Sequence, residues 1–184
     1  DADTCYVSMY NSPGGAVYKT TDGGGTWFQV GANMFGQGTS FADMVYFFDA
    51  ANGIAMGDPV GSPLKYEIYR TTDYGVTWTQ VPGTNIPSLA NNAEYGITNL
   101  FSAAQGRVWF GTTYGDVYRS IDGGINWSKS ASGFPAYNGT NGRQDISDIA
   151  FSDSLTGIIT QTNATTTLVR KTTDGGLTWT SITP

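Results

Sequence analysis

The chain has 184 residues and a formal net charge of −6, with 13% charged residues, 14% aromatic residues and 25 glycines. Its apolar content argues against an intrinsically disordered segment, and its few charged residues argue against a helical bundle. The acidic balance argues against nucleic acid as a partner, because that binding depends on clustered lysine and arginine side chains.

Missing residue types exclude several chemistries. The chain has no histidine, which removes Ser-His-Asp catalysis, Cys-His catalysis and the ordinary zinc sites, so we expect neither a metal nor a cofactor. Cys5 is the only cysteine, so no disulfide forms within the chain. No run of about 18 apolar residues predicts a membrane span, and we identify no signal peptide. Few charges with abundant threonine, serine, asparagine and glycine are typical of a secreted or cell-surface bacterial protein, extracellular or periplasmic.

The first predicted unit spans approximately residues 1–30. Its extended segments begin at about Cys5, and its last part reads VYKTTDGGGTWFQV at residues 17–30. Compared with the later units it has one extended segment fewer. We therefore expect this unit to lack its innermost strand.

The later units predict four short strands each, separated by turns. Residues rich in valine, isoleucine, tyrosine, phenylalanine and threonine fill the strands, as a pleated surface prefers. The remaining units span approximately residues 43–81, 96–130 and 146–182. In the first of these the strands are predicted at residues 43–48, 53–57, 66–71 and 78–81, with a loop at 58–63. We predict no helix.

One segment recurs about every 50 residues, and we call it the aspartate turn. Serine or threonine precedes the aspartate by two positions, glycine follows by two and tryptophan by five. The carboxylate can accept backbone N–H groups and fix the turn, glycine supplies a positive φ, and tryptophan provides an apolar anchor. We therefore predict structural roles for Asp22, Gly24, Trp27, Asp73, Gly75, Trp78, Asp122, Gly124, Trp127, Asp174, Gly176 and Trp179.

The pattern Ser/Thr-x-Asp-x-Gly-x-Thr-Trp resembles the Asp-box, or bacterial neuraminidase repeat, and departs from it only at Asn126, where threonine is usual. An upstream piece, FFDAANG at residues 47–53, is similar to photosystem II assembly-factor-type and sortilin-type propeller repeats of secreted bacterial proteins. The resemblance implies an all-β propeller of four-stranded antiparallel blades, with the aspartate turn between the third and outermost strands. It also implies that this turn lies away from the ligand face.

About four blades are present, in a single predicted propeller segment over residues 1–184. We favour an arc of a larger ring over a four-bladed ring, because Asp-box families usually have more blades. The remaining blades would come from a longer parent chain or a second copy, since an isolated arc would expose apolar end faces.

Ligand contacts are expected in the blade-joining loops at residues 31–42, 82–95 and 131–145, where aromatic rings, amides and a few charges suit a sugar or a peptide. The candidate binding residues are Phe35, Tyr95, Tyr137, Arg143 and, in a shorter loop, Asp58. These features favour a non-catalytic scaffold or binding module for protein or glycan.

Two other functions stay open. The Asp-box also occurs in sialidase-like and xyloglucanase-like glycoside hydrolases, the second of which need two opposed carboxylates. Glu94 and Asp145 lie at the same distance before the aligned glycines of their units and are the candidate catalytic pair. Arg70 and Arg119 share a repeat position with two lysines, so we assign them no part in a sialidase-type arginine cluster. The third possibility is an assembly factor that binds a partner polypeptide.

Overall fold

The computed structural model describes residues 2–11, 14–36, 40–135, 145–162 and 166–183. Antiparallel strands form four sheets, and within these ranges the helical structure is one 3-10 turn at Gly83–Asn85. The chain divides into two compact units, Asp1–Ile86 and Pro87–Pro184, each of which holds two sheets. No helix in the described part of the chain has the length and apolar character needed to cross a membrane.

Blade 1 opens the first unit and has three strands. They are β1 (Cys5–Asn11), β2 (Gly14–Thr20) and β3 (Phe28–Val30), hydrogen-bonded in the order β1-β2-β3. Cys5 pairs with Thr20, and Val17 pairs with Val30. Among the described residues this blade has no strand inside β1, as the sequence predicted, so β1 is the inner edge of the sheet that the structure describes.

Blade 2 completes the first unit with four strands. They are β4 (Ala42–Phe47), β5 (Gly53–Val60), β6 (Lys65–Thr71) and β7 (Thr79–Gln80). The prediction of a loop from residue 58 is wrong, because β5 continues to Val60. A register shift between Gly57 and Pro59 accommodates the irregular sequence, and pairing resumes at Pro59 with Tyr66.

The core of the first unit lies between blades 1 and 2. Its buried members are Val17, Met34, Phe35, Ala42, Ala55 and Tyr69. Gly57 makes room for the Phe35 ring, since a Cβ there would lie 2.8 Å from the ring carbons and 2.3 Å from the Phe41 carbonyl oxygen. A side chain at residue 57 would therefore push the two blades apart.

The second unit repeats this plan with two four-stranded blades. Blade 3 contains β8 (Phe101–Ala104), β9 (Arg107–Gly111), β10 (Asp116–Ser120) and β11 (Ser128–Ala131). Blade 4 contains β12 (Asp148–Phe151), β13 (Gly157–Thr162), β14 (Thr167–Thr172) and β15 (Thr180–Ile182). The buried core of this unit consists of Leu100, Trp109, Val117, Phe134, Ile146, Ile149 and Ile159.

Both units are thus built from pairs of small antiparallel sheets whose strands follow chain order. The predicted all-β class and the four-stranded antiparallel blade are confirmed, with blade 1 as the three-stranded exception. The aspartate turns join the third and outermost strands of blades 2, 3 and 4, and join β2 to β3 in blade 1.

Candidate functional site

The aspartate turns are closed hydrogen-bond networks. In blade 1, Asp22 Oδ1 accepts from the Thr20 hydroxyl and the Thr26 N–H at 2.8 Å each, and Oδ2 accepts from the Thr26 hydroxyl at 2.7 Å. These donors, led by the Thr26 N–H, lower the pKa of Asp22 to about 2. In blade 3 the Asn126 side chain replaces threonine and donates to Asp122 Oδ2 at 2.8 Å. Carboxylates held in this way are occupied by their own turns.

The four turn tryptophans differ in burial. Trp127 is 7% exposed, Trp78 and Trp179 are half-buried, and Trp27 is 42% exposed. Trp27, Trp78 and Trp127 each donate their indole N–H to the carbonyl of their turn glycine, whereas Trp179 donates to Ser130 Oγ at 3.1 Å. The expectation of a buried anchor therefore does not hold for Trp27, whose ring faces solvent.

The predicted binding residues lie in dissimilar places. Phe35 is fully buried with φ 53°, so the expectation of a ligand contact is corrected to a core position between blades 1 and 2. Asp58 is half-buried, and its N–H donates to the Phe41 carbonyl at 3.0 Å. Tyr95 is 45% exposed, and its backbone exchanges hydrogen bonds with Thr113. Tyr137 and Arg143 lie outside the described residues.

Glu94, one of the two predicted catalytic carboxylates, is fully buried. Its Oε2 accepts the Ala90 N–H at 2.9 Å, and no described group bonds Oε1. Burial raises the pKa of Glu94, helped by the nearby Asp116 carboxylate, which pairs with Lys129 at 2.5 Å. Asp145 is half-buried in the same unit. Glu94 thus belongs to a buried polar cluster with Asp116 and Lys129.

A second buried acid was missed from the sequence. Glu67 is 3% exposed, and its Oε1 accepts the Tyr69 hydroxyl at 2.5 Å. Burial, with this hydrogen bond and the negative charge of Glu67, raises the pKa of Tyr69 well above its usual value. The repeat contained the signal, since Glu67 and Asp116 both stand six residues before a turn aspartate and are both followed two residues later by a buried tyrosine.

The first unit also contains a stacked aromatic pair, one ring of it exposed, that the sequence did not single out. Tyr10, near the end of β1, is 58% exposed and stacks on Phe41 with ring centroids 5.4 Å apart and planes 9° from parallel. The Phe41 carbonyl accepts the Asp58 N–H, so the backbone of Asp58 adjoins Phe41. The described residues hold no group of three or more acidic, cysteine or histidine side chains suited to a metal ion.

Comparison with known proteins returns no matching family model. The chain is 30% identical over 147 residues to a xyloglucanase from a Paenibacillus species, covering 67% of this chain and 14% of that protein. It is 31% identical over 145 residues to xyloglucanase Xgh74A from Acetivibrio thermocellus, covering 66% of this chain and 16% of that protein. The chain therefore spans about one sixth of the length of the curated relatives it matches.

Solved structures support the fold. YCF48 from Cyanidioschyzon merolae superimposes with a TM-score of 0.55 at 16% identity, covering 95% of this chain and 55% of that one. The α-L-arabinofuranosidase Arb93a from Fusarium graminearum, solved with an iminosugar inhibitor, gives 0.54 at 14% identity, covering 97% and 62%. These similarities, with the blades described above, define the chain as a β-propeller protein. Its similarity in sequence is to a part of xyloglucanases.

Proposed function

We propose that this chain is a non-catalytic part of a secreted or cell-surface propeller protein and that it binds a glycan of the xyloglucan class. The observation that carries the proposal is the exposed ring of Tyr10, which stacks on the half-buried Phe41, because an exposed aromatic face is the surface on which a sugar ring packs. The xyloglucanase relatives support the choice of glycan class.

The state of the acidic side chains supports a binding role over a catalytic one. Glycoside hydrolysis uses two carboxyl groups that face each other across the scissile bond. Here the turn aspartates are held by their own turns, Asp116 is paired with Lys129, and Glu94 is fully buried. The expected site is accordingly a surface that recognises a sugar chain without cleaving it.

Isothermal titration with xyloglucan oligosaccharides tests the proposal. The wild-type chain should bind saturably, and Tyr10→Ala should weaken binding about fivefold, since one aromatic contact is worth roughly 1 kcal/mol. Tyr74→Ala is the matched control, because Tyr74 is 56% exposed in the same unit but belongs to an aspartate turn. Absence of saturable binding, or equal losses in the two variants, contradicts the proposal.

A hydrolase is the second candidate, and one observation favours it. Burial raises the pKa of Glu94, and a raised pKa is the property that a carboxylic acid needs to donate a proton near neutral pH. Release of reducing ends from xyloglucan by the wild-type chain, lost in both Glu94→Gln and Asp145→Asn, would establish this candidate and overturn the non-catalytic proposal. Saturable binding with no turnover would exclude it.

A further inference from the structure

Within the first unit, side chains of blade 1 pack against and hydrogen-bond to the aspartate turn of blade 2. Tyr6 of β1 stacks on Phe47, the last residue of β4, with ring centroids 4.0 Å apart. The Tyr6 hydroxyl donates to the Tyr74 carbonyl at 2.6 Å, and Lys19 Nζ donates to the same oxygen at 2.9 Å. An aromatic ring and a cation on one blade thus hold the first residue after the turn aspartate of the next.

The second unit makes the same contact with different residues. Trp109 of β9 stacks on Phe151, the last residue of β12, at 3.7 Å. The Trp109 indole N–H donates to the Gly175 carbonyl at 2.8 Å, and Arg119 donates to it at 3.1 Å. Strand register makes the two contacts equivalent, because Tyr6 pairs with Lys19 as Trp109 pairs with Arg119. We call this arrangement the blade clamp.

Blade 4 has residues at the same two positions, but no aspartate turn of the described residues packs against them. Ile158 pairs with Lys171, so these two occupy the clamp positions of blade 4. Ile158 is 40% exposed, and Lys171 is exposed. An open groove of about 340 Å³ borders Ile158 and is lined by Ala150, Phe151, Ser152, Thr156, Gly157 and Ile158. This face of blade 4 is therefore an apolar groove with a cation beside it.

Blade 1 presents the other half of the contact. Residues 21–29 of its aspartate turn are all exposed, whereas Gly75 and Gly175 are buried in the turns that a clamp holds. Gly23 follows Asp22 as Tyr74 follows Asp73 and as Gly175 follows Asp174. The same chain thus exposes one unfilled clamp and one unclamped turn.

The tryptophans add a second level of complementarity. Trp179 donates its N–H to Ser130 Oγ on the outermost strand of the preceding blade, at the position paired with Val117. At the equivalent position blade 4 has Ile182, which pairs with Val169 and is 41% exposed. An isoleucine cannot accept a hydrogen bond, and the N–H of Trp27 is already bonded to the Gly24 carbonyl. The Trp27 ring therefore fits Ile182 as an apolar contact that leaves no polar group unpaired.

We propose that the clamp of blade 4 in one copy, formed by Ile158 and Lys171 with Ile182, binds the aspartate turn of blade 1 in a second copy, so that the chain associates head to tail. Ile158 and Ile182 pack against the turn and Trp27, and Lys171 donates to the turn carbonyl after Asp22. The contact is heterologous, since it joins two different surfaces. This inference is independent of the glycan proposal.

A concentration series in the analytical ultracentrifuge tests the association on the full chain. The wild-type chain should show reversible self-association, and Ile158→Arg should weaken it at least about tenfold by placing a charge in the apolar contact. Ile121→Arg is the matched control, because Ile121 is 58% exposed and lies on blade 3. Circular dichroism checks that each variant is folded. A wild-type chain that stays monomeric, or equal weakening in both variants, overturns the proposal.

A mixing experiment tests the head-to-tail geometry. Ile158→Arg destroys the clamp and leaves the blade 1 turn intact, while Trp27→Ser damages the turn and leaves the clamp intact. At a concentration where the wild-type chain associates and the weakened contacts do not form, each variant alone should be monomeric. An equimolar mixture should form dimers that grow no further, because the two surfaces left unoccupied in such a dimer are the mutated ones. Association of either variant alone to the wild-type extent, or a mixture that stays monomeric, overturns the geometry.

Discussion

The aspartate turns of blades 1 and 2 have the same hydrogen bonds and different surroundings. The N–H of the residue four positions after the aspartate donates to Oδ1 at 2.8 Å in blade 1 and 2.9 Å in blade 2. The indole N–H of Trp27 and of Trp78 reaches its glycine carbonyl at 3.2 and 3.1 Å. Yet Trp27 is exposed and Trp78 is half-buried against the core of the first unit. Local sequence determines the turn, and the neighbouring blade determines its burial.

Removal of the two indoles should show the largest difference. Trp78→Ala should lower the free energy of unfolding by about 3 kcal/mol, the low end for a large aromatic side chain, because the ring is only half-buried. Trp27→Ala should lower it by about 1 kcal/mol or less, since its ring already meets solvent. Urea unfolding at a concentration where the chain is monomeric measures both. Equal losses would show that blade 1 has a neighbour that covers its turn.

The turn glycines give the next largest difference. Gly24 and Gly75 both have positive φ, 94° and 74°, so alanine strains either turn by about 1 kcal/mol. A Cβ at residue 75 would also lie 2.9 Å from a Tyr6 ring carbon, whereas at residue 24 the nearest atoms lie 3.9 Å away. We therefore expect Gly75→Ala to cost about 2 kcal/mol and Gly24→Ala about 1 kcal/mol in the same unfolding assay. A larger loss for Gly24→Ala contradicts an open blade 1 turn.

A smaller effect isolates the polar part of the contact between blades. Tyr6→Phe removes the hydroxyl that donates to the Tyr74 carbonyl, while Lys19 still bonds that oxygen. The expected loss is about 0.5 kcal/mol, at the low end for one hydrogen bond. Tyr10→Phe is the control, and its stability in thermal unfolding should equal that of the wild-type chain. A Tyr6→Phe variant as stable as wild type would show that the stacking on Phe47, and not the hydroxyl hydrogen bond, stabilises this contact.

The smallest difference is expected in acid, where the two turns should respond alike. Both aspartates have lowered pKa values, about 2 for Asp22, because each accepts N–H and hydroxyl donors of its own turn. A lowered pKa stabilises the folded state above the ordinary value of 3.8, and that stability is lost as the pH falls toward 2. Asp22→Asn and Asp73→Asn should each destabilise the chain at pH 6 and much less at pH 2. A strong acid response in one variant alone would show that burial, rather than the local donors, controls the pKa.

The sequence predicts the parts of this molecule that local chemistry determines. The spacing from Asp73 to Gly75 and Trp78 was sufficient to place a turn and its strands, because every donor to the carboxylate comes from the turn itself. Burial was not predictable at the same level. The sequence pattern places Phe35 in a loop. Its ring is buried because Gly57, on another strand, has no side chain to occupy the same space.

The candidate site shows the same limit. Tyr10 and Phe41 lie far apart in the sequence and in different blades, and only the packing of blade 1 on blade 2 stacks them. Glu94 occupies a loop position that pattern alone assigns to a ligand face, yet its carboxylate is turned inward to the Ala90 N–H. The one sequence signal for a buried acid is the recurrence of an acidic residue six positions before the turn aspartate, at Glu67 and Asp116.

The edge strand of blade 1 carries a practical consequence. Cys5 is the single thiol of the chain, it is exposed, and it pairs with Thr20, two residues before Asp22. A maleimide fluorophore attached there needs no engineered cysteine and no removal of a native one. Its emission would register, in real time and at nanomolar protein, anything that covers the neighbouring turn.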